Sequence, residues 1–227
     1  MNKAVTPYTL KRSKRKTLGI YVRDAVVEVR APMRLPRADI DAFVVDKSQW
    51  IHSKIIEQTQ KKSEAPQVTH EQELLFFGRP RRLLIYPGPK RIVEKDDHLL
   101  IQTHRPESAP KQLQQWLKSE AELYITARVD ELAEELGQQH RIKDIRFRKT
   151  RSKWGHCTSE GRLQFNWLII MAPSEVIDYL IVHELCHLTH MNHSSAFWQL
   201  VGRYCVNYET HRQWLKDNGH KIWLETA

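Results

Sequence analysis

The sequence predicts an α+β protein, and three observations carry that prediction. Short stretches of alternating apolar and polar residues occupy the first hundred positions. A long stretch with helical periodicity follows them, from about Lys111 to Leu136. Nearer the C-terminus, Val176-Ile177-Asp178-Tyr179-Leu180-Ile181-Val182 is apolar enough to read as a buried helix. With 227 residues the chain suits one large domain or two small ones. The expected division lies at the Pro106–Pro110 joint, giving a strand-rich unit over 1–105 and a more helical domain over 106–227.

Taken in order, Thr17–Arg23 and Ala25–Arg30 alternate as strands, with Asp24 at the turn. Pro36 opens a helical stripe of Ile40, Phe43, Val44, Trp50, Ile51, Ile55 and Ile56 that runs to about Lys62. Glu73–Phe77, Arg82–Tyr86, Arg91–Glu94 and Leu99–Thr103 read as short strands punctuated by Gly78, Pro80, Pro87, Gly88 and Pro89. Together they suggest a largely antiparallel sheet or barrel-like unit. The long helix lines up Leu113, Trp116, Leu117, Tyr124, Ile125, Val129, Leu132 and Leu136, and Gly137 stops it. Ile142–Arg148 and Arg162–Trp167 are expected to pair as a short antiparallel sheet through a turn at Ser159-Glu160-Gly161. Pro173 and Ser174 mark the start of the apolar helix, and Ser194 caps a further one to about Tyr204, followed by a last helix near Glu209–Asn218.

Lys and Arg number 36 against 27 Asp and Glu, a net charge of +9. That balance favours an anionic partner or substrate: nucleic acid, a DNA-associated protein or a nucleotide. The run Lys11–Lys16 reads first as a solvated strand or turn, and second as a phosphate contact. Cys157, Cys186 and Cys205 are odd in number and contain no C-x-x-C pair, which fits reduced thiols in the cytoplasm. No apolar leader and no stretch of about 18–20 apolar residues is visible, so neither a signal peptide nor a membrane span is expected. No Gly-rich phosphate loop of the Walker type is present either.

Chemistry concentrates at His183-Glu184-Leu185-Cys186-His187. Four helical residues sweep about one turn, so the two imidazoles share a side and can meet one ion. Glu184 sits beside that ion, free to take a proton from a water it polarises. Asn192 is a residue that tolerates the end of a helix, so the chain folds back after it and His193 has a free path to become a third ligand. His190 competes for that place, but it lies about 10 Å along the axis from His183 and reads better as a supporting residue. Three protein ligands leave one position open, as catalytic zinc requires, and one Zn2+ per chain is expected. Substrate contacts are sought in the basic segment Arg146, Arg148, Lys149, Arg151 and Lys153, and in His190 and His211. Oxyanion donors are sought among His190, His156, Tyr204, His211 and Arg212.

The residues from Ile145 through Trp154-Gly155-His156-Cys157, then Gly161, Asn166-Trp167, Pro173, Ile177-Asp178-Tyr179, the His183–His187 motif, Asn192-His193-Ser194 and Phe197-Trp198, resemble the YgjP-like family of metal-dependent hydrolases. That family is related to the SprT-like and WLM zinc metallopeptidases. The specific block covers about 142–200, with looser similarity along the chain. The resemblance implies zinc held by His183, His187 and His193, Glu184 as catalytic base, and a minimal zincin-like helical domain behind the strand-rich unit. One departure is His156, where the family commonly carries a small residue. The leading expectation is metallopeptidase-like hydrolysis. The alternative is a nucleoside triphosphate pyrophosphatase acting on UTP-like nucleotides, and a further one is a nucleic-acid-binding module with a structural metal.

Overall fold

Alternation builds the first sheet. Strands β1 (Thr9–Ser13), β2 (Gly19–Arg23) and β3 (Val26–Pro32) lie in the order β1-β3-β2. Asp24 and Ala25, both at positive φ (51° and 60°), make the tight turn between β2 and β3. Val27, Val29 and Ala31 point inward onto α1 (Arg37–Asp46) and α2 (Ser48–Ser63), where Ile40, Val44 and Ile51 complete a small core. The helical stripe is thus two helices. The backbone leaves helical geometry at Lys47 (φ −91°, ψ 9°), although the bonds from Lys47 N–H to Phe43 O and from Ile51 N–H to Lys47 O continue across the joint. The basic run falls on β1 and the turn after it, as a solvated strand. The model, a computed structural model, describes residues 6–225.

A second sheet follows: β4 (Glu73–Phe76), β5 (Arg79–Pro87), β6 (Arg91–Glu94) and β7 (His98–Thr103), in the order β4-β5-β7-β6. The expectation of one largely antiparallel sheet is corrected here. There are two separate sheets, and β1 with β3, and β5 with β7, pair in parallel. Leu74, Phe76, Leu83, Leu99 and Ile101 share one core with Leu113, Leu117 and Ile125 of the long helix α3 (Ala109–Glu135). The compact units accordingly divide at 64/65, not at 105/106. The reason is physical: the apolar face of the second sheet is buried by α3, whereas Pro106–Ser108 is only a one-turn entry into that helix.

The next strands are β8 (Asp144–Phe147), β9 (Gly155–Cys157) and β10 (Arg162–Phe165). The sheet expected to be antiparallel is mixed. The turn at Ser159–Gly161 joins β9 to β10, and β8 then lies parallel on the other side of β10. A buried 3-10 segment, Trp167–Met171, leads into α4 (Ser174–His187). Phe77 and Gly78 donate their N–H groups to Ile170 and Met171, fastening the second sheet to this segment. Helices α5 (Ser195–Tyr204) and α6 (Tyr208–Asn218) close the unit, and Ser194 caps α5 by accepting from Phe197 N–H. No described helix is long and apolar enough to cross a membrane.

Arg128 of α3 grips Asp178 of α4 with two parallel bonds of 3.0 and 2.9 Å, fixing the rotation of α4 about its axis. Replacing Arg128 with Leu leaves a half-buried carboxylate without its partner, and the expected cost is about 1–3 kcal/mol in urea unfolding. A loss below about 0.3 kcal/mol would reduce the pair to a solvated surface contact.

Candidate metal centre

Helix α4 is core on most of its surface: Val176, Ile177, Leu180, Ile181, Val182 and Leu185 are all buried. That burial carries His183, Glu184 and His187 into the interior with it. The helix unwinds after His187, with Leu188, Thr189 and His190 donating their N–H groups to Leu185 and Cys186 carbonyls. The chain turns, and His193 returns from the loop before α5. Ring centroids stand 4.9 Å apart for His183 and His187, 5.1 Å for His183 and His193, and 4.8 Å for His187 and His193. One nitrogen from each ring lies within 4.8 Å of the others.

The residues fit a metal ion. Nε2 of His183 and Nε2 of His193 are 3.2 Å apart. Nitrogens held at 2.0–2.1 Å around a tetrahedral ion are separated by roughly 3.3 Å. His187 places Nδ1 at 2.9 Å from the His190 carbonyl, which fixes Nδ1 as the proton-bearing nitrogen and turns the lone pair of Nε2 toward the other rings. His183 keeps a buried Nδ1 with no hydrogen-bond partner in the protein. Burial, reinforced by the neighbouring His187 and His193, pushes His183 down to about 3, and burial also lowers His187. Both rings are therefore neutral at ordinary pH, the form that binds a metal. Phe197 braces all three rings, stacking on His187 at 4.5 Å and meeting His183 and His193 edge-on. Trp198 stacks on His193 at 5.6 Å.

Glu184 is buried beside the imidazoles, and its carboxyl lies over Gly155 of β9. A Cβ at residue 155 would stand 2.7 Å from both Cγ and Cδ of Glu184, closer than atoms approach. Any larger residue would therefore push the Glu184 carboxyl aside. Burial pushes the Glu184 carboxyl up to about 8, against the pull of Lys153. Both groups open on a cleft of about 410 Å³ whose walls include Trp154, His156, Tyr179, Met191 and Leu215.

Other expected contacts land elsewhere. Lys153 lines the cleft. Lys149 does not: its Nζ donates to the Leu224 carbonyl and lies over the Trp223 ring, so it fastens the C-terminal segment. Arg146 pairs with Asp144 at 2.7 Å on its own strand. Arg151 lines a neighbouring cavity with Trp154 and Trp223. His190 supports His187 through its carbonyl, while its side chain lines a cavity shared with Tyr204 and Arg203. His211 packs against Tyr179 at 6.3 Å, and Arg212 lies over Trp198. The cysteines are free thiols, with Cys186 fully in the core. Gly155 and Tyr179 escaped the sequence reading as site residues. Tyr179 had a usable signal, since it precedes His183 by one helical turn and faces the same way.

A helix that presents paired imidazoles and a buried carboxyl to one cleft, with a third imidazole brought in from the following loop, is an arrangement able to hold a metal ion, as metal-dependent hydrolases do. Residues 16–218 match the model of the YgjP-like metallopeptidase domain, and the chain belongs to that family. Among solved structures it is similar to the metallopeptidase zymogen abylysin of Pyrococcus abyssi, at 23% identity and a TM-score of 0.34, over 40% of this chain and 93% of that one. A search of curated proteins gave no match.

Two outcomes are expected at this centre. Gly155→Ala displaces the Glu184 carboxyl while leaving the three imidazoles in place. It should retain metal and lose about 10²-fold in turnover; wild-type turnover would free the carboxyl from its seat on β9. The second concerns the metal-free protein. The folded-state value of Glu184 lies above its unfolded value of 4.5, so its contribution to stability is present at low pH and is lost as pH rises through about 8. The unfolding free energy of Glu184→Gln minus that of wild type should therefore grow between pH 5 and pH 9. A difference independent of pH would show that the carboxyl is already ionised when the fold forms.

Proposed function

We propose that the chain is a zinc-dependent hydrolase that cuts a peptide bond, with Glu184 as the general base. The observation that carries this reading is the convergence of three imidazoles beside a buried carboxyl on the wall of one cleft. His183, His187 and His193 would hold the ion, and an all-nitrogen set of three suits zinc with one position left open. When bound, zinc supplies Lewis acidity that polarises a carbonyl and makes water acidic near neutral pH. Glu184, which the charge of a bound ion would hold ionised, takes the proton of the attacking water and passes it to the departing amine. Gly155 leaves the space that the Glu184 carboxyl occupies. The Tyr179 phenol, pushed up to about 12 chiefly by burial, stays protonated, and with His156 it is a cleft-lining donor for the developing oxyanion.

The apolar and aromatic walls, Trp154, Met191 and Leu215, suit a peptide side chain. Hydrolysis of a nucleoside triphosphate is the second reading, and it draws on Lys153 at the cleft. It is the weaker one because, of the basic residues expected to clamp phosphates, Lys149 fastens the C-terminal segment and Arg146 pairs with Asp144, and neither lines the cleft. The net charge of +9 supports an anionic partner, and the free thiols support the cytoplasm.

The test is a panel of protein and nucleoside triphosphate substrates, run with defined zinc. His183→Ala and His187→Ala should lose both metal and activity. Glu184→Gln should keep stoichiometric metal and lose turnover by several orders of magnitude. Turnover on nucleotides alone, abolished in Glu184→Gln, would replace the peptide-bond reading with the second one.

A further inference from the structure

The charge of this chain is unevenly placed. Residues 1–64 hold fourteen Lys and Arg against seven Asp and Glu, a net +7 of the total +9. These residues form a compact unit of their own, which contains none of the metal-centre residues. Alternation in β1, β2 and β3 sends Leu10, Ile20, Val22, Val27, Val29 and Ala31 toward the helices. The opposite face of the sheet carries the cations, with the Lys11 side chain 62% and the Arg30 side chain 37% exposed.

At its centre lies Tyr21, paired in register with Glu28, with Lys11, Arg30 and Gly19 aligned across the neighbouring row. Three guanidinium groups surround the Tyr21 ring: Arg30 at 4.6 Å, Arg23 at 5.9 Å and Arg15 at 6.0 Å from its centroid. Gly19 makes room for this arrangement. A Cβ there would stand 3.2 Å from Nη2 of Arg15 and 3.4 Å from the Tyr21 ring. Nε of Arg15 is buried with no hydrogen-bond acceptor. Glu28 offsets part of the charge through bonds of 2.5 Å to Lys11 and 2.6 Å to Arg30. Arg12, by contrast, points the other way and holds the carbonyls of Pro32, Met33 and Leu35.

We infer that the outer face of this three-stranded sheet binds single-stranded nucleic acid, with Tyr21 as a stacking platform and Arg15, Arg23, Arg30 and Lys11 contacting phosphates. Every base has a face that stacks on an aromatic ring, and guanidinium groups add both stacking and phosphate contacts. A flat sheet offers unstacked bases a surface, whereas the grooves of a duplex admit a helix or a two-stranded ribbon. An anionic membrane fits less well, because Val26 is the one large apolar side chain exposed on these three strands among the described residues, too little to insert. This inference is independent of the hydrolase reading.

The test uses the full chain and fluorescein-labelled 20-nucleotide poly(dT) and poly(U), followed by anisotropy from 50 to 200 mM salt. Both strands should bind at least tenfold tighter than a duplex of equal length. Tyr21→Leu should weaken binding about tenfold. Arg15→Gln combined with Arg23→Gln should reduce the log–log salt slope by about 1.4. Glu184→Gln should bind as wild type. Circular dichroism checks folding; if Tyr21→Leu does not fold, the double arginine variant decides. Wild-type affinity and slope in the variants would overturn the inference. So would tighter binding to the duplex, preferential binding to phosphatidylserine vesicles, or loss of binding in Glu184→Gln.

Discussion

Burial of helix α4 is the constraint from which the rest of the active unit follows. The helix is held on one side by α3 and on another by the 3-10 segment Trp167–Met171, so most of its side chains are core. Polar groups carried into such a place cost free energy unless something compensates them. His183, His187 and Glu184 are carried there together. Two of the three are kept in the form that apolar surroundings allow, the imidazoles neutral, and the carboxyl is pushed toward its neutral form as well. A divalent ion is the natural compensation for lone pairs of neutral imidazole converging on one point and for a nearby carboxylate.

The surrounding elements act as supports for that arrangement. Phe197 and Trp198, both on α5, brace the rings, and the cap at Ser194 fixes where α5 begins and hence where His193 stands. The His190 carbonyl, exposed because the helix ends there, sets the tautomer of His187. The hairpin of β9 and β10 brings Gly155 under Glu184. Cleft, imidazoles and carboxyl therefore depend on three short segments meeting around one helix end: α5 with its cap, the turn at His190 and the β9–β10 hairpin. The N-terminal unit is built on other terms, with a small separate core and a charged sheet face.

Much of this was legible in the residues themselves. Helical spacing gave His183 and His187 a common side, and an Asn-His-Ser sequence after the helix pointed to the return of His193. Helix boundaries at Ser194 and Gly137 followed from capping chemistry, and the start of α4 from Pro173, signals that act within a few residues. The α+β class followed from the two periodicities. The family resemblance also lay in motifs that can be read along the chain, and the matched span of 16–218 agrees with it.

What the sequence determined on its own is local: which residues form helices and strands, where they start and stop, and that His183, Glu184 and His187 lie within one helical turn. The tertiary structure alone decided which strands are neighbours, so that β8 lies parallel to β10 and the second sheet belongs with α3. It decided that Lys149 fastens the C-terminal segment, that Arg146 pairs with Asp144 on its own strand, and that Gly155 and Tyr179 face the cleft. The physical reason is one of range. Dihedral preference, capping and periodicity act over a few residues, whereas strand partners, the seat of a buried carboxyl and the fate of a lysine depend on segments tens of residues apart that meet only when the core closes.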